Sequence, residues 1–272
     1  MIVFSSVSKS FADQSTAIVD LNLEVNPGDL VVITGPSGAG KTTLMKLLIR
    51  EYLPSSGSII FDGLPLEKFK KADIPKLRRQ IGVVFQDYKL IEEMNAWENI
   101  ALPLYIAGMK EEEIEARVTD LLNLIGLADK ALLFPRQLSG GEAQRVSIAR
   151  ALATAPKVIF ADEPTGNLDS EASLKITRLL KKINELGTTV LFATHDEIVI
   201  RELAKAKIVH LNKPIPEKKE SEDKKDEEDE EGKKVKAKQE KLAKEMVEKQ
   251  HTKDKDKDKD KDKDKDKKEQ KK

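Results

Sequence analysis

The chain has 272 residues, of which 39% are hydrophobic and 35% are charged. This size fits one α/β domain with a sizeable core plus an additional segment. The sequence contains no cysteine, which excludes disulfides, thiolate metal sites and thiol nucleophiles. Basic and acidic residues both number 48, so the formal net charge is zero, but almost every residue from Lys213 onward is charged.

The first residues, MIVFSSVSKSF, lack a basic region followed by a long apolar run, so no signal peptide is predicted. No apolar stretch approaches the roughly 20 residues that a membrane-spanning helix needs. We therefore expect a soluble, intracellular protein, and any role at a membrane would require a partner.

Strands are predicted at the start of the chain, where MIVFSSVSKSF and AIVDLNLEVNPGDL carry short apolar runs broken by polar turns. LVVITG (30–35) is a continuous β-branched run, typical of a central parallel strand that is buried on both faces. TTLMKLLIREYL then has apolar residues at helical spacing, and PSSGSIIFDG predicts a turn.

Four further apolar runs predict buried strands: IGVVFQ (81–86), KVIFADE (157–163), TTVLFATHD (188–196) and KIVHL (207–211). A predicted helical region separates the first two of these strands. Within it, EEEIEARVTDLLNLIGL places five apolar residues on one helical face, namely Ile114, Val118, Leu121, Leu122 and Ile125. SEASLKITRLLKKINEL is a second amphipathic helix. Strands that alternate with helices indicate a mostly parallel sheet covered by helices.

The last segment, 213–272, is too charged to bury a core and is predicted to be disordered. It begins acidic, becomes basic and ends in alternating Lys and Asp. A solvated tail is the favoured interpretation, and a spacer or a docking arm for an anionic surface is the alternative. Acidic neighbours cancel the field of the basic part, so no nucleic-acid partner is expected.

A phosphate-binding loop is predicted at GPSGAGKT (35–42), which matches G-x-x-x-x-G-K-[ST] in full between a buried strand and a helix. Its glycines let backbone N–H groups approach phosphates, and the helix start attracts anions. Lys41 reaches the β- and γ-oxygens, while the Thr42 hydroxyl can ligate Mg²⁺. The predicted nucleotide-binding residues are Gly35, Pro36, Ser37, Gly38, Ala39, Gly40, Lys41, Thr42 and Thr43.

Polar residues at the ends of other strands are the candidate catalytic and metal-binding groups. Asp162 follows the apolar run VIFA, so it is predicted to hold Mg²⁺, and Glu163 is predicted to act as general base towards water. His195 ends another strand and is either a satisfied core residue or a γ-phosphate contact. Gln86 is a candidate oxygen ligand for Mg²⁺ or water, and Asp169 closes a tight loop after Glu163.

A second anion-binding helix start is predicted at LSGGE (138–142), where Ser139, Gly140 and Gly141 precede a strongly helical run. With the preceding motifs, this turn resembles the ATP-binding cassette (ABC) ATPases. That family has a phosphate loop, a glutamine loop, an LSGG signature, a strand ending in Asp-Glu, a D-loop and a switch histidine in this order, and all six are present within residues 1–212.

The resemblance implies an ABC domain over 1–212, with a parallel core sheet, an antiparallel β subdomain and a helical signature subdomain at about 87–155. It also implies a homodimer that binds ATP and Mg²⁺ between two chains. Ser139, Gly140 and Gly141 would face the nucleotide on the partner copy, Asp169 would reach across the interface, and Phe11 would stack on adenine.

Five stretches narrow the resemblance to cassettes that drive a membrane protein mechanically. They are REYLPSSGSI, LRRQIGVVFQDYKLI, WENIALPL, LSGGEAQRV and ADEPTGNLD. They imply an integral membrane partner and a place at the cytoplasmic face of the membrane. Cell division is the favoured process, and lipoprotein release or macrolide efflux is the alternative. ABC proteins of DNA repair or translation fit less well because the chain has no coiled-coil insertion and no second cassette. A regulatory cassette without hydrolysis fits less well because Glu163 and His195 are both present.

Overall fold

The computed structural model describes residues 1–213 except Gln14. The segment predicted as a charged tail therefore lies outside the described residues apart from Lys213. Among the helices of the described part, none combines the length and the apolar character needed to cross a membrane.

A five-stranded parallel sheet forms the centre of the fold. Its strands are β3 (Leu30–Thr34), β6 (Ile81–Val84), β7 (Val158–Asp162), β8 (Thr189–Ala193) and β9 (Lys207–His210). They lie in the order β6-β7-β8-β3-β9, and every neighbouring pair is parallel. The prediction of a parallel sheet from alternating strands and helices is therefore confirmed.

Two cores cover the two faces of this sheet, because successive side chains of a strand point to opposite faces. In β3, Val31 and Ile33 pack in one core and Val32 packs in the other. The core with Val31 and Ile33 contains α1 (Lys41–Leu48), and the core with Val32 contains α6 (Ser170–Glu185). Burial on both faces explains why these strands are continuous apolar runs.

A four-stranded antiparallel sheet joins the core that contains α1. Its strands are β1 (Ile2–Ser10), β2 (Thr16–Val25), β4 (Ser56–Phe61) and β5 (Leu64–Pro65), in the order β2-β1-β4-β5. The prediction of a turn over PSSGSIIFDG is wrong at residues 56–61, which form β4. Ile59 and Phe61 are buried opposite Phe4 and Ile2, and this pairing with a distant strand overrides the local turn signals.

Three helices lie between β6 and β7: α3 (Ala96–Ala107), α4 (Glu111–Ile125) and α5 (Gly140–Leu152). The predicted apolar face of α4 is confirmed, since all five of its residues are buried. The helix ends at Gly126, which has a left-handed φ of 66°. Two short helices, α2 (Ile74–Arg79) and α7 (Glu197–Glu202), had no counterpart among the predicted elements.

Candidate active site

The carboxyl ends of the parallel strands place the predicted site residues along one edge of the sheet. Gln86 follows β6, Asp162 ends β7, Glu163 comes directly after it, and His195 follows β8. The phosphate loop follows β3, which is the next strand in the sheet. Residues that are far apart in sequence thus lie side by side.

The phosphate loop is confined by two distant segments. Gly40 has a φ of 96°, and a Cβ there would lie 2.4 Å from the carbonyl oxygen of Ala17 on β2. A Cβ on Gly35 would lie 2.4 Å from the carbonyl oxygen of Leu211, just after β9. α1 begins at Lys41 without a side-chain cap, so its first N–H groups are available to an anion.

Lys41 is held inside this loop by oxygen atoms. Its side chain is only 5% exposed, and Nζ donates hydrogen bonds to the carbonyls of Gly35 (2.7 Å) and Pro36 (3.2 Å). Nζ also lies 3.2 Å from Oε1 of Glu163. The ammonium group is therefore already directed towards the residue after β7, and it can exchange these contacts for phosphate oxygens.

Glu163 joins the phosphate loop to the candidate histidine. Its Oε2 lies 2.7 Å from Nδ1 of His195, and its backbone N–H donates to the carbonyl of Ala193 at the end of β8. Glu163 has a φ of 48°, a strained value for a residue other than glycine. His195 is 61% exposed, so the alternative of a core histidine is wrong.

Asp162 is the most deeply buried carboxylate of the site. Asp162 is 7% exposed, and its Oδ1 has no hydrogen-bond partner. The carboxylate group does accept a hydrogen bond from the side chain of Thr42. Burial raises the pKa of Asp162, and the bond from Thr42 opposes this effect only in part. An orphaned carboxylate oxygen beside a hydroxyl fits a hard divalent cation. The described residues contain no cluster of three or more carboxylate, imidazole or thiol groups that could hold a metal ion by themselves.

Gln86 contacts the loop that follows Glu163. Its Nε2 donates to Oδ1 of Asn167 (3.4 Å), and Nδ2 of Asn167 donates back to the carbonyl of Gln86 (3.2 Å). A Cβ on Gly166 would lie 2.8 Å from Gln86 Nε2. Asp169 ends this loop and caps α6, because its Oδ1 accepts the backbone N–H of Ala172 at 2.8 Å. The participation of Asn167 could not be predicted from sequence spacing.

The turn at residues 139–141, called the signature turn below, lies at the start of α5, where Ser139 and Glu142 cap the helix reciprocally. Ser139 Oγ accepts the N–H of Glu142 (3.4 Å), and Glu142 accepts the N–H of Ser139 (2.9 Å). A hydrogen bond from Lys130, together with the Ser139 N–H, lowers the pKa of Glu142 to about 2. Ser139 is exposed, while Gly140 lies against the hydroxyl of Tyr88.

The predicted site residues thus fall into two groups. The phosphate loop contacts Ala17, Leu211 and Glu163, whereas the signature turn contacts Tyr88 and α6. Phe11 is assigned to neither group: its ring packs edge-to-face on Tyr52, with ring centroids 5.4 Å apart. Lys9 Nζ lies 5.3 Å from the Phe11 ring centroid. The sequence pattern did not point to Lys9 or Tyr52.

Known proteins resemble the chain in sequence and in structure. The sequence profile of the ABC transporter family matches residues 18–166. "Cell division ATP-binding protein FtsE" of Streptococcus pneumoniae strain D39 is 46% identical over 203 residues, which are 75% of this chain and 88% of that protein. The protein of the same name from Escherichia coli K12 is 47% identical over 196 residues, covering 72% and 88%. The Bacillus subtilis protein is 43% identical over 208 residues, covering 76% and 91%.

A solved structure also matches the fold. The dimeric post-hydrolysis state of the ATP-binding cassette MJ0796 bound to ADP and Pi has a TM-score of 0.71 and 37% sequence identity. The match covers 80% of this chain and 97% of that one. The predicted cassette fold is therefore confirmed. On the profile, the relatives and the fold together, the chain belongs to the ABC transporter family as an ATP-hydrolysing cassette of the FtsE cell-division group.

Proposed function

We propose that two copies of the chain bind two ATP molecules in a head-to-tail dimer, with the phosphate loop of each facing the signature turn of the other. The separation of the site residues into two groups carries this proposal. Lys41, Glu163 and His195 form a connected group, whereas Ser139 is exposed at a different helix start. A second copy would supply the missing anion-binding turn.

Hydrolysis in this proposal uses groups that are already connected. Oε2 of Glu163 faces His195 Nδ1 and Oε1 faces Lys41, so the carboxylate is poised to accept the proton of an attacking water once Lys41 turns to the phosphates. His195 would hold the γ-phosphate. A magnesium ion would be held by Thr42, Asp162 and Gln86, and it would neutralise charge at the phosphate oxygens.

Dimerisation is tested with Glu163→Gln, which removes the base and retains the shape of the side chain. Light scattering with ATP and Mg²⁺ is expected to show a dimer that persists because the trapped nucleotide is not hydrolysed. Glu185→Gln, at an exposed position on α6, is the matched control and should form no persistent dimer. A Glu163→Gln protein that remains monomeric would refute the composite site.

The cassette is further proposed to drive an FtsX-like integral membrane protein at the cytoplasmic face of the cell membrane. Closure of the dimer would bend this partner and so regulate cell-wall hydrolysis at the division site. The FtsE relatives support this assignment over the alternative of a lipoprotein-release or macrolide-efflux transporter. No nucleic-acid partner is expected.

The segment after Gln86 is the proposed docking surface for the membrane partner. Asp87 and Lys89 are more than half exposed and form an ion pair 2.6 Å long, whereas Leu90 packs against the core. Co-purification with an FtsX-like membrane protein is expected to fail for Asp87→Lys and to survive Glu185→Lys. Unchanged recovery of Asp87→Lys would exclude this surface.

Depletion of the protein from cells tests the process that it serves. Cells that keep their normal length but stop releasing lipoproteins would favour the alternative function.

A further inference from the structure

Two neighbouring residues after Gln86 have strained backbones. Tyr88 has a φ of 57° and Lys89 a φ of 51°, both in the left-handed region that disfavours residues other than glycine. Such a conformation persists only where the surrounding structure holds it. The contacts that hold this segment therefore indicate what it does.

Arg150 holds both strained residues by their carbonyl groups. It lies near the end of α5, and its Nη2 donates to the Tyr88 carbonyl (2.9 Å) while Nη1 donates to the Lys89 carbonyl (2.7 Å). One planar guanidinium thus fixes two consecutive peptide units, which the single ammonium group of a lysine could not do in the same geometry.

Asn99 of α3 fixes the continuation of the segment. This fully buried side chain accepts the N–H of Ile91 (2.8 Å) and donates to the carbonyls of Ile91 (3.1 Å) and Met94 (2.9 Å). Its Oδ1 also lies 3.5 Å from Nη1 of Arg150. The segment is therefore tied to two helices of the signature region by one polar network.

The side chain of Tyr88 extends from this network to the signature turn. A Cβ added to Gly140 would lie 2.8 Å from the Tyr88 hydroxyl oxygen and 3.3 Å from the Leu168 side chain. The phenol therefore fills the space beside the turn that contains Ser139 and Gly141. Burial raises the pKa of Tyr88, so the hydroxyl stays neutral there.

We propose that Arg150 is a positioning residue for ATP hydrolysis, which acts by holding Tyr88 against Gly140 and so orients the Ser139–Gly141 turn towards the nucleotide of the second copy. Because Tyr88 is two residues from Gln86, a shift of Gln86 would reach the turn of the same chain through this side chain. The inference rests on the composite dimer proposed above.

The first experiment separates nucleotide binding from turnover in the full chain. Tyr88→Ala, Arg150→Met and Arg150→Lys are compared for affinity towards a fluorescent ATP analogue and for ATPase kinetics. Each is expected to lower kcat, by about tenfold or more for Tyr88→Ala, with ATP affinity within about twofold, because the phosphate loop is untouched. Tyr105→Ala removes an exposed tyrosine that bonds Glu111 elsewhere in the helical region and should keep full activity.

Combined substitutions test whether Arg150 acts through Tyr88. The double variant Tyr88→Ala with Arg150→Met should lose no more kcat than the more impaired single variant, because both remove the same contact on Gly140. Losses that multiply, or an ATP affinity that falls in parallel with kcat, would overturn the proposal. If Arg150→Met does not fold, the Tyr88→Ala and Arg150→Lys results decide the question.

A dimerisation measurement distinguishes failure of this inference from failure of the composite site. Glu163→Gln is combined with Tyr88→Ala, and light scattering with ATP and Mg²⁺ is compared with Glu163→Gln alone. The inference predicts a dimer at least about tenfold weaker in the combined variant. Equal dimerisation of both proteins would refute the role of Tyr88 and leave the composite site intact. A Glu163→Gln protein that never dimerises would refute the composite site itself, and this inference with it.

Discussion

Asp162→Asn is predicted to stabilise the nucleotide-free protein while it weakens the response to magnesium and ATP. Asp162 is 7% exposed, and its Oδ1 has no hydrogen-bond partner. An ionised carboxylate in such a place lowers the free energy of unfolding, as the raised pKa of Asp162 indicates. Asparagine has nearly the same shape and removes the charge.

The expected gain follows from the loss of charge at the unpaired position, because a neutral amide costs less to bury than an ionised carboxylate. A buried polar atom without a partner costs about 1–3 kcal/mol. Asparagine retains one polar atom at this position, so we expect the lower end, about 1 kcal/mol, which corresponds to an increase of roughly 2–4 °C in Tm for a domain of this size.

The pH dependence of this gain has a defined sign. Because the folded-state pKa of Asp162 lies above the unfolded value, the folded chain binds more protons between these two values, and its stability falls as pH rises through them. The Asp162→Asn protein does not lose stability in this way, because the asparagine amide does not titrate. The difference in Tm between the two proteins should therefore be small at low pH and grow towards pH 7.

Thermal unfolding followed by circular dichroism between pH 4 and pH 8 measures both effects, first without nucleotide and then with ATP and Mg²⁺. The unsubstituted protein should gain more Tm from ATP and Mg²⁺ than the variant, because the cation has lost a charged ligand. Asp120→Asn, an exposed carboxylate on α4, is the control. A nucleotide-free Asp162→Asn protein that unfolds below the unsubstituted one at pH 7 would refute the reasoning.

Substitutions at three further places test other parts of the site. Gly40→Ala should lower ATP affinity by about tenfold or more in equilibrium binding, since its Cβ would meet the Ala17 carbonyl, whereas Gly38→Ala has open space around its Cβ and should lose less. Glu142→Gln should lower the free energy of unfolding by about 1 kcal/mol at neutral pH. Because the pKa of Glu142 is lowered to about 2, this difference should vanish in urea titrations as pH falls from 4.5 towards 2, and a constant difference would contradict it. Phe11→Ala should weaken ATP binding by about 1 kcal/mol and Phe11→Tyr should not; equal affinities would exclude a stacking role.

The core strands were predictable because burial on both faces leaves a local signature. Val31, Val32 and Ile33 are apolar without alternation, and this pattern is sufficient to identify a central strand. β4 gave no comparable signal, since its Ser and Gly residues resemble a turn until they pair with β1. Local chemistry specified the central strands of the parallel sheet, whereas β4, an inner strand of the antiparallel sheet, depends on a partner about 50 residues away.

The candidate site shows the same limit. A motif with fixed spacing identified Lys41, and strand ends identified Asp162, Glu163 and His195. The contacts among these side chains depend on sheet order, so the Glu163–His195 pair could not be predicted before β7 and β8 were known to be neighbours. The Tyr88–Arg150 contact joins residues 62 positions apart that share no motif.

The position of Leu211 has a consequence for biosynthesis. Its carbonyl backs Gly35 and its N–H bonds Thr34, so the last described strand completes the wall of a loop that was translated about 170 residues earlier. β3 is likewise flanked by β8 and β9, the last two strands of the described residues to be synthesised. A nascent chain is therefore expected to complete the wall of its phosphate loop only after nearly all of residues 1–211 have been synthesised.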